Sequence, residues 1–199
     1  MFNIVEKFNS IQSEGFHAGT PATFIRFYGC NLACNFGSGL VCDEGLHTES
    51  NKIVKTSLGE ILVFCSLTTH VVITGGEPSL HNLNSLIEAL KDNGHYVQVE
   101  TNGHKLDNIN SAQWITYSPK HAWNKGELRL LKGFNELKLL GSPDVLPDDI
   151  WEQIPLKYLQ PIGYENSWNM TNVKWAADWV VKHTGWKLSL QTHKIYGGQ

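Results

Sequence analysis

A chain of 199 residues, 41% hydrophobic and 18% charged, has the length for one domain with a sizeable core, and its composition excludes fibrous and disordered classes. A net charge of −3 and a pI near 6.3 provide no basic field for duplex nucleic acid, so no direct nucleic-acid partner is expected. No apolar run reaches the roughly 20 residues that span a bilayer, and the start, MFNIVEKFNSIQSEG, has no basic-then-apolar leader, so a cytoplasmic protein without membrane contact is expected.

Taken in chain order, the first β-like run is ATFIRFY (Ala22–Tyr28), followed by GCNLACNFGSGLVCDEG, which places Cys30, Cys34 and Cys42 in one loop. SLGEILVFCSL (Ser57–Leu67) has helical spacing with Ser57 as N-cap, and Cys65 falls on its apolar face as a small core residue. VVIT (Val71–Thr74) is the next strand. SLHNLNSLIEALKDNG is then a helix with Leu80, Leu83, Leu86, Ile87 and Leu90 on one face and Gly94 as its stop. YVQVE (Tyr96–Glu100), WITYS (Trp114–Ser118), ELKLL (Glu136–Leu140) and KYLQ (Lys157–Gln160) follow as strands. A helix over Met170–Gly185, capped by Thr171 or Asn172, and a last strand, KLSLQ (Lys187–Gln191), complete the series. There is no repeat and no linker, so one continuous domain over residues 1–199 is predicted.

Strands alternating with helices predict an α/β fold on a mainly parallel sheet, whose ligands lie at the carboxyl ends of the strands. The polar clusters obey that rule: GGEP follows VVIT, TNG follows YVQVE, PK follows WITYS, QPIG closes KYLQ and THK closes KLSLQ. A full eight-fold barrel typically needs about 250 residues, so the barrel predicted here is incomplete.

In a reducing compartment, clustered cysteines are metal ligands or redox groups more often than disulfides. Three of them can hold three irons of a cubane and leave the fourth open; with His47 they could instead close a Cys3His zinc shell. TGGEP (Thr74–Pro78) reads either as a tight turn or as two glycines that admit a ligand beside a carboxylate suited to an amine. Arg26 inside the apolar strand ATFIRFY is costly unless it faces a site or lies on an edge. Lys120 is a strand-end cation or a solvated lysine, and His193 a pocket residue or a hydrogen-bonded structural one.

SIQSEGFHAGTPATFIRFYGCNLAC, TGGEPSL, VETNG, YSPK, ELKLL, LQPI and LSLQTHKIYG occur in an order that resembles the radical S-adenosylmethionine (SAM) enzymes and, among them, the 7-carboxy-7-deazaguanine synthases of the queuosine precursor pathway. The likeness runs nearly end to end and implies a partial TIM-like βα barrel. It implies that Cys30, Cys34 and Cys42 hold a [4Fe–4S] cluster with SAM on the open iron, fed by an external electron donor. Gly75, Gly76 and Glu77 would take the methionine amine, while Thr101, Asn102, Ser118, Lys120 and Gln160 would contact the rest of SAM. The implied substrate, a carboxytetrahydropterin, would be bound by Gln12, Glu14, Gly15, Arg26, Thr74, Gln191 and His193 and converted to 7-carboxy-7-deazaguanine with loss of ammonia. A homodimer is implied as well.

Two positions depart from the family pattern. The usual C-x3-C-x2-C loop is here lengthened by five residues before Cys42, with Gly37 and Gly39 in the insertion. Glu44 stands where the family has a threonine near Mg2+, which makes it a candidate carboxylate ligand for that ion. The altered loop keeps two rivals open: a non-catalytic or zinc-binding relative of the same fold, and a radical enzyme acting on a related heterocycle.

Overall fold

The computed structural model describes residues 1–36, 42, 45, 49–120, 131–164 and 166–197. Among these residues, nine strands form one sheet in the order β3-β1-β2-β4-β5-β6-β7-β8-β9. They are β1 (Phe2–Ile11), β2 (Pro21–Phe27), β3 (Val54–Thr56), β4 (His70–Gly75), β5 (Tyr96–Thr101), β6 (Trp114–Tyr117), β7 (Glu136–Gly141), β8 (Lys157–Pro161) and β9 (Trp186–Leu188). From β2 onward every neighbouring pair is parallel. β1 runs antiparallel to both β2 and β3. The two outermost strands do not pair with each other, so the sheet is curved and open, the partial barrel that length and βα alternation predict.

Each parallel strand is two-faced, because successive side chains point to opposite sides. Ile25, Phe27, Val71, Ile73, Val97, Val99 and Ile115 lie in a buried core with Ile61 and Cys65 of α1 (Leu58–Cys65), with Leu86, Ile87 and Leu90 of α2 (Asn84–Asp92), and with Leu83 just before α2. Tyr117, Leu137, Leu139 and Leu159 form a second core with Trp151, Trp186 and Ala176 of α3 (Met170–Lys182). The alternate positions face inward and mix apolar residues such as Phe24, Val72 and Leu140 with polar and charged ones. His70 bonds Gln98 (3.0 Å), the Gln98 amide donates to Thr116 Oγ1 (3.2 Å), and Thr116 donates to Glu136 Oε1 (2.7 Å).

Helix ends follow local chemistry. Ser57 caps α1 through a reciprocal capping box with Glu60, as the sequence predicts. Cys65 is buried, and burial pushes its thiol up to about 11, in keeping with an inert core role. The second predicted helix begins later than Ser79: Pro78–Leu80 is a short 3-10 turn, and α2 starts at Asn84. Asn169, rather than Thr171 or Asn172, caps α3; its Oδ1 accepts from both of their amides. The strands β1 and β3 are absent from the sequence-based reading. β1 breaks its alternation at a register shift between Ile4 and Glu6 and carries Glu6, Lys7 and Asn9 among its apolar residues, which obscures the period of two.

The loop after β1 turns into the barrel. Phe16 stacks on Trp114 (4.8 Å between centroids), and His17 meets His70, Tyr96 and Trp114 edge-on at 4.8, 5.3 and 4.7 Å. His70, Tyr96 and Trp114 are the first residues of their strands, so this cluster plugs the end opposite the polar clusters. Gly15 permits the descent: its φ is +66°, and a Cβ there would sit 2.6 Å from the Glu136 carboxylate.

Burial lowers the affinity of both His17 and His70 for protons, and His17 Nε2 is buried without a hydrogen-bond partner among the described residues. A histidine whose folded affinity is depressed takes up a proton more readily in the unfolded chain, so stability falls as pH drops below the ordinary imidazole value of 6.5. Urea denaturation at pH 7.5 and pH 5.5 should show lower stability at the acid value, and His17→Phe, which keeps the ring packing, should shrink that difference.

Candidate active site

One cavity of about 770 Å³ opens at the carboxyl ends of the strands, large against the roughly 300–1,000 Å³ usual for small-molecule sites. Of the residues singled out in the sequence, it is lined by Gln12, Glu14, Arg26, Cys30, Cys34, Cys42, Thr74, Gly75, Gly76, Glu77, Thr101, Asn102, Ser118, Lys120, Gln160, Gln191 and His193. Gly15 sits beside the lining residues: its backbone amide donates to Ser189 Oγ (3.1 Å) and it packs on Glu136. Glu44 and His47, the candidate magnesium and zinc ligands, lie outside the described residues, as do Gly37 and Gly39.

The cysteine wall is tied to the sheet through the GGEP turn. Gly76 N donates to Phe27 O (3.1 Å), and Glu77 N donates to Gly29 O (2.8 Å), directly before Cys30. Gly75 has φ +113°, and a Cβ on it would lie 2.3 Å from Phe27 N, so glycine alone lets β2 and β4 come together here. None of the three cysteines is in a disulfide, and all are partly buried. Burial raises the proton affinity of Cys30, while the Leu32 amide, donating to Cys30 Sγ at 3.4 Å, favours the thiolate. Among the described residues no group of three or more His, Cys, Asp or Glu side chains is gathered tightly enough to hold a metal ion, so the thiols share a wall without being drawn together. Three cysteines lining one cavity, with an N–H donor on Cys30 and no fourth cysteine among the described lining residues, suit a cluster that keeps one corner open.

Glu77 is fully buried and joins two strand ends. Its Oε1 accepts from Ser79 N (2.9 Å) and Thr101 Oγ1 (2.6 Å), and its Oε2 accepts from Asn102 N (2.6 Å). The carboxylate therefore braces the GGEP and TNG turns as well as lining the cavity. Asn102 Nδ2 donates to Asn31 Oδ1 (3.0 Å) and lies 4.0 Å from Cys30 Sγ, which ties the same turn to the cysteine loop. Lys120 curls back so that its Nζ donates to Ser118 Oγ (2.5 Å) and Ser118 O (3.0 Å).

The opposite wall is built by the loop after β1 and the segment after β9. Lys138, on the inward face of β7, donates to both Glu14 Oε2 and Glu100 Oε2. Gln191 Nε2 donates to Glu14 Oε1 (2.8 Å), and Gln12 Nε2 donates to Glu100 Oε1 (3.2 Å). Burial alone would raise the Glu14 carboxyl, but Lys138 and the amide donors hold it at about 2. Burial pushes Glu100 up, as do Glu14 and Glu136, against the pull of Lys138. Ser13 Oγ bonds His193 Nδ1 (2.7 Å), and Thr192 N donates to Ser13 O (3.5 Å), so the two chain segments close the seam of the open barrel together. Arg26 lines the cavity from β2 with its Nη1 on Glu6 Oε2 (2.7 Å) and its guanidinium 5.0 Å from the centre of the Phe8 ring.

Lys138 and Glu100 are the charged cavity residues that the sequence-based reading misses. The reasoning that draws attention to Arg26, a charge inside an apolar strand, applies equally to Lys138 in ELKLL and Glu100 in YVQVE. Period-two placement of charged residues in otherwise apolar strands is the signal that finds them.

Replacing Glu77 by glutamine puts an amide hydrogen pair where one oxygen now accepts from an N–H or O–H donor. Glu77→Gln should destabilise the protein by about 2 kcal/mol, read as a lower urea midpoint at unchanged m-value.

No family model matches the chain. A 7-carboxy-7-deazaguanine synthase of Bacteroides thetaiotaomicron is 37% identical over 197 residues, covering 98% of this chain and 97% of the relative. Relatives of the same name from Haemophilus influenzae and Synechocystis are 33% and 32% identical, each covering 98% of this chain and 93% of the relative. Among solved structures, the crystal structure of QueE from Escherichia coli matches with a TM-score of 0.72 at 29% identity, covering 96% of this chain and 94% of that one.

Proposed function

The chain belongs to the 7-carboxy-7-deazaguanine synthase family of deazapurine biosynthesis, and from that premise we propose that it is a radical SAM lyase acting on a carboxytetrahydropterin. The supporting observation is the single cavity with two unlike walls, three thiols on one side and carboxylates, amides and cations on the other. In this reading Cys30, Cys34 and Cys42 carry a [4Fe–4S] cluster, and the backbone of Gly75 and Gly76 admits the methionine end of SAM. With both groups bound, the chemistry supplied is one-electron cleavage of the sulfonium to a 5′-deoxyadenosyl radical, a reaction that belongs to the cofactors.

This chain's residues position and shield. Thr101, Asn102, Ser118 and Lys120 lie between the cysteines and the polar wall, where the ribose and adenine of SAM would be held. Glu14, kept ionised by Lys138 and Gln191, accepts the ring N–H donors of the pterin, and Gln12 supplies an amide beside it. Arg26, steadied by Glu6, forks onto the substrate carboxylate, with Thr74 and His193 at the margin. A hydrogen atom would be taken from the carbon that bears the carboxylate, the ring would contract, ammonia would leave and one hydrogen atom would be returned, so that the substrate gives 7-carboxy-7-deazaguanine and ammonia with no net oxidation. Mg2+ enters this reading only through Glu44. An external electron donor, a homodimer and a cytoplasmic setting complete it; no helix among the described residues is long and apolar enough to cross a membrane.

Anaerobic reconstitution with iron and sulfide should give a brown protein with about four iron and four sulfide per chain that cleaves SAM and, with 6-carboxytetrahydropterin, yields 7-carboxy-7-deazaguanine by mass spectrometry. Cys42→Ala should lose the cluster. A colourless wild type that retains zinc would overturn the proposal, and unchanged iron in the alanine variant would remove Cys42 from the ligand set.

A further inference from the structure

The sequence motifs and the family reading account for Glu14 but leave the most deeply buried cation of the cavity without a task. Lys138 is 7% exposed in its side chain, and it stands between Glu14 and Glu100, which are 14% and 16% exposed. Its own strand neighbours on the inward face are Glu136 and Leu140, and among the described residues its ion pairs are with Glu14 and Glu100. The second oxygen of each carboxylate takes amide donors, Gln191 on Glu14 Oε1 and both Gln12 and Gln98 on Glu100 Oε1. The result is a fixed pair of acceptors on the cavity wall, contributed by the loop after β1 and by β5, with one ammonium between them.

A buried lysine with a single carboxylate would form a closed, neutral pair. A lysine shared by two leaves one negative charge to be met by something else. In a cavity this size the natural complement is a ligand edge with several adjacent N–H donors, and a 2-amino-4-oxopyrimidine ring has such an edge. We propose that Lys138 is a positioning residue that clamps Glu14 and Glu100 as a paired acceptor for the N–H donors of the pterin ring, so that recognition of the heterocycle, separate from its carboxylate, depends on it. This rests on the pterin reading of the preceding section. It adds Glu100 as a ring contact and assigns Lys138 to act through the two carboxylates.

The charges that act most on Glu100 are Lys138, which stabilises its ionised form, and Glu14 and Glu136, which oppose it; Arg26, Glu77, Lys120 and His193 line the same cavity. Without Lys138, both carboxyls would face burial and each other without a cation, and their proton affinities would rise. Wild-type acceptance at Glu14 should therefore hardly vary from pH 7.5 to pH 5.5, whereas a variant lacking the ammonium should lose acceptor strength as pH falls.

The test is fluorescence binding of two stable probes, 6-carboxypterin and unsubstituted pterin, to the full chain without cluster or SAM. Wild type should bind both with a nearly flat profile from pH 5.5 to pH 7.5. Lys138→Met should weaken both probes by at least about tenfold at pH 5.5, with partial recovery at pH 7.5. Lys138→Arg should restore the flat profile. If the methionine variant does not fold, Glu100→Gln, which leaves the Glu14–Lys138 pair intact, should still weaken both probes by about tenfold. A folded Lys138→Met with the wild-type profile, or a Glu100→Gln with wild-type binding, overturns the proposal. So does a loss confined to 6-carboxypterin, which would mean that Lys138 meets the substrate carboxylate directly. A wild type that binds neither probe would overturn the pterin reading itself, and this inference with it.

Discussion

A lysine ammonium held out of water between two carboxylates ties three separate parts of the chain together: the loop after β1, strand β5 and strand β7. Removing ions from water is expensive, and a buried ion group is tolerated only where attraction and hydrogen bonds satisfy it. Here both carboxylates have amide donors as well as the ammonium, so the trio is well satisfied. The loop that brings Glu14 to it also plugs the barrel with Phe16 and His17, and it meets the segment after β9 across the seam. An open sheet thus acquires a floor and a closed side from a stretch with little regular structure.

The division of labour between the two faces of the sheet explains how one small domain carries both a core and a reactive cavity. Outward positions on β2, β4, β5, β6, β7 and β8 pack under the helices, while inward positions mix Thr, Gln, Glu, Lys and Arg with apolar residues. Full barrels fill their interior with branched apolar side chains. Leaving the barrel unclosed, and lining it with polar groups that bond one another, keeps space for ligands at the strand ends while the cysteine loop is anchored by the GGEP turn on one side and Asn102 on the other.

Much of this was legible before any coordinates. βα alternation and the position of polar clusters after strands place the cavity correctly, because strand direction in a parallel sheet dictates where loops converge. Ser57 and Cys65 behave as local chemistry requires. What escaped was set by tertiary context. β1 hides behind a bulge and a polar composition; Gly15 looks like part of a binding loop, yet its freedom serves close packing on Glu136. Glu77 reads as a ligand group, whereas three of its acceptor sites are occupied by the protein. Lys138 and Glu100 sit in short apolar runs that look like ordinary strands until the alternation is followed residue by residue.

In this reading the cysteine wall and the carboxylate wall serve one reaction, with the heterocycle close enough to surrender hydrogen to the adenosyl fragment. Deuterium placed on the carboxylate-bearing carbon of the carboxytetrahydropterin measures this directly. With cluster-loaded protein and SAM, the label should appear in 5′-deoxyadenosine and, since a hydrogen atom must be returned for the product to form, in the SAM recovered as 7-carboxy-7-deazaguanine accumulates. Product accompanied by 5′-deoxyadenosine and SAM that both lack the label would contradict that transfer.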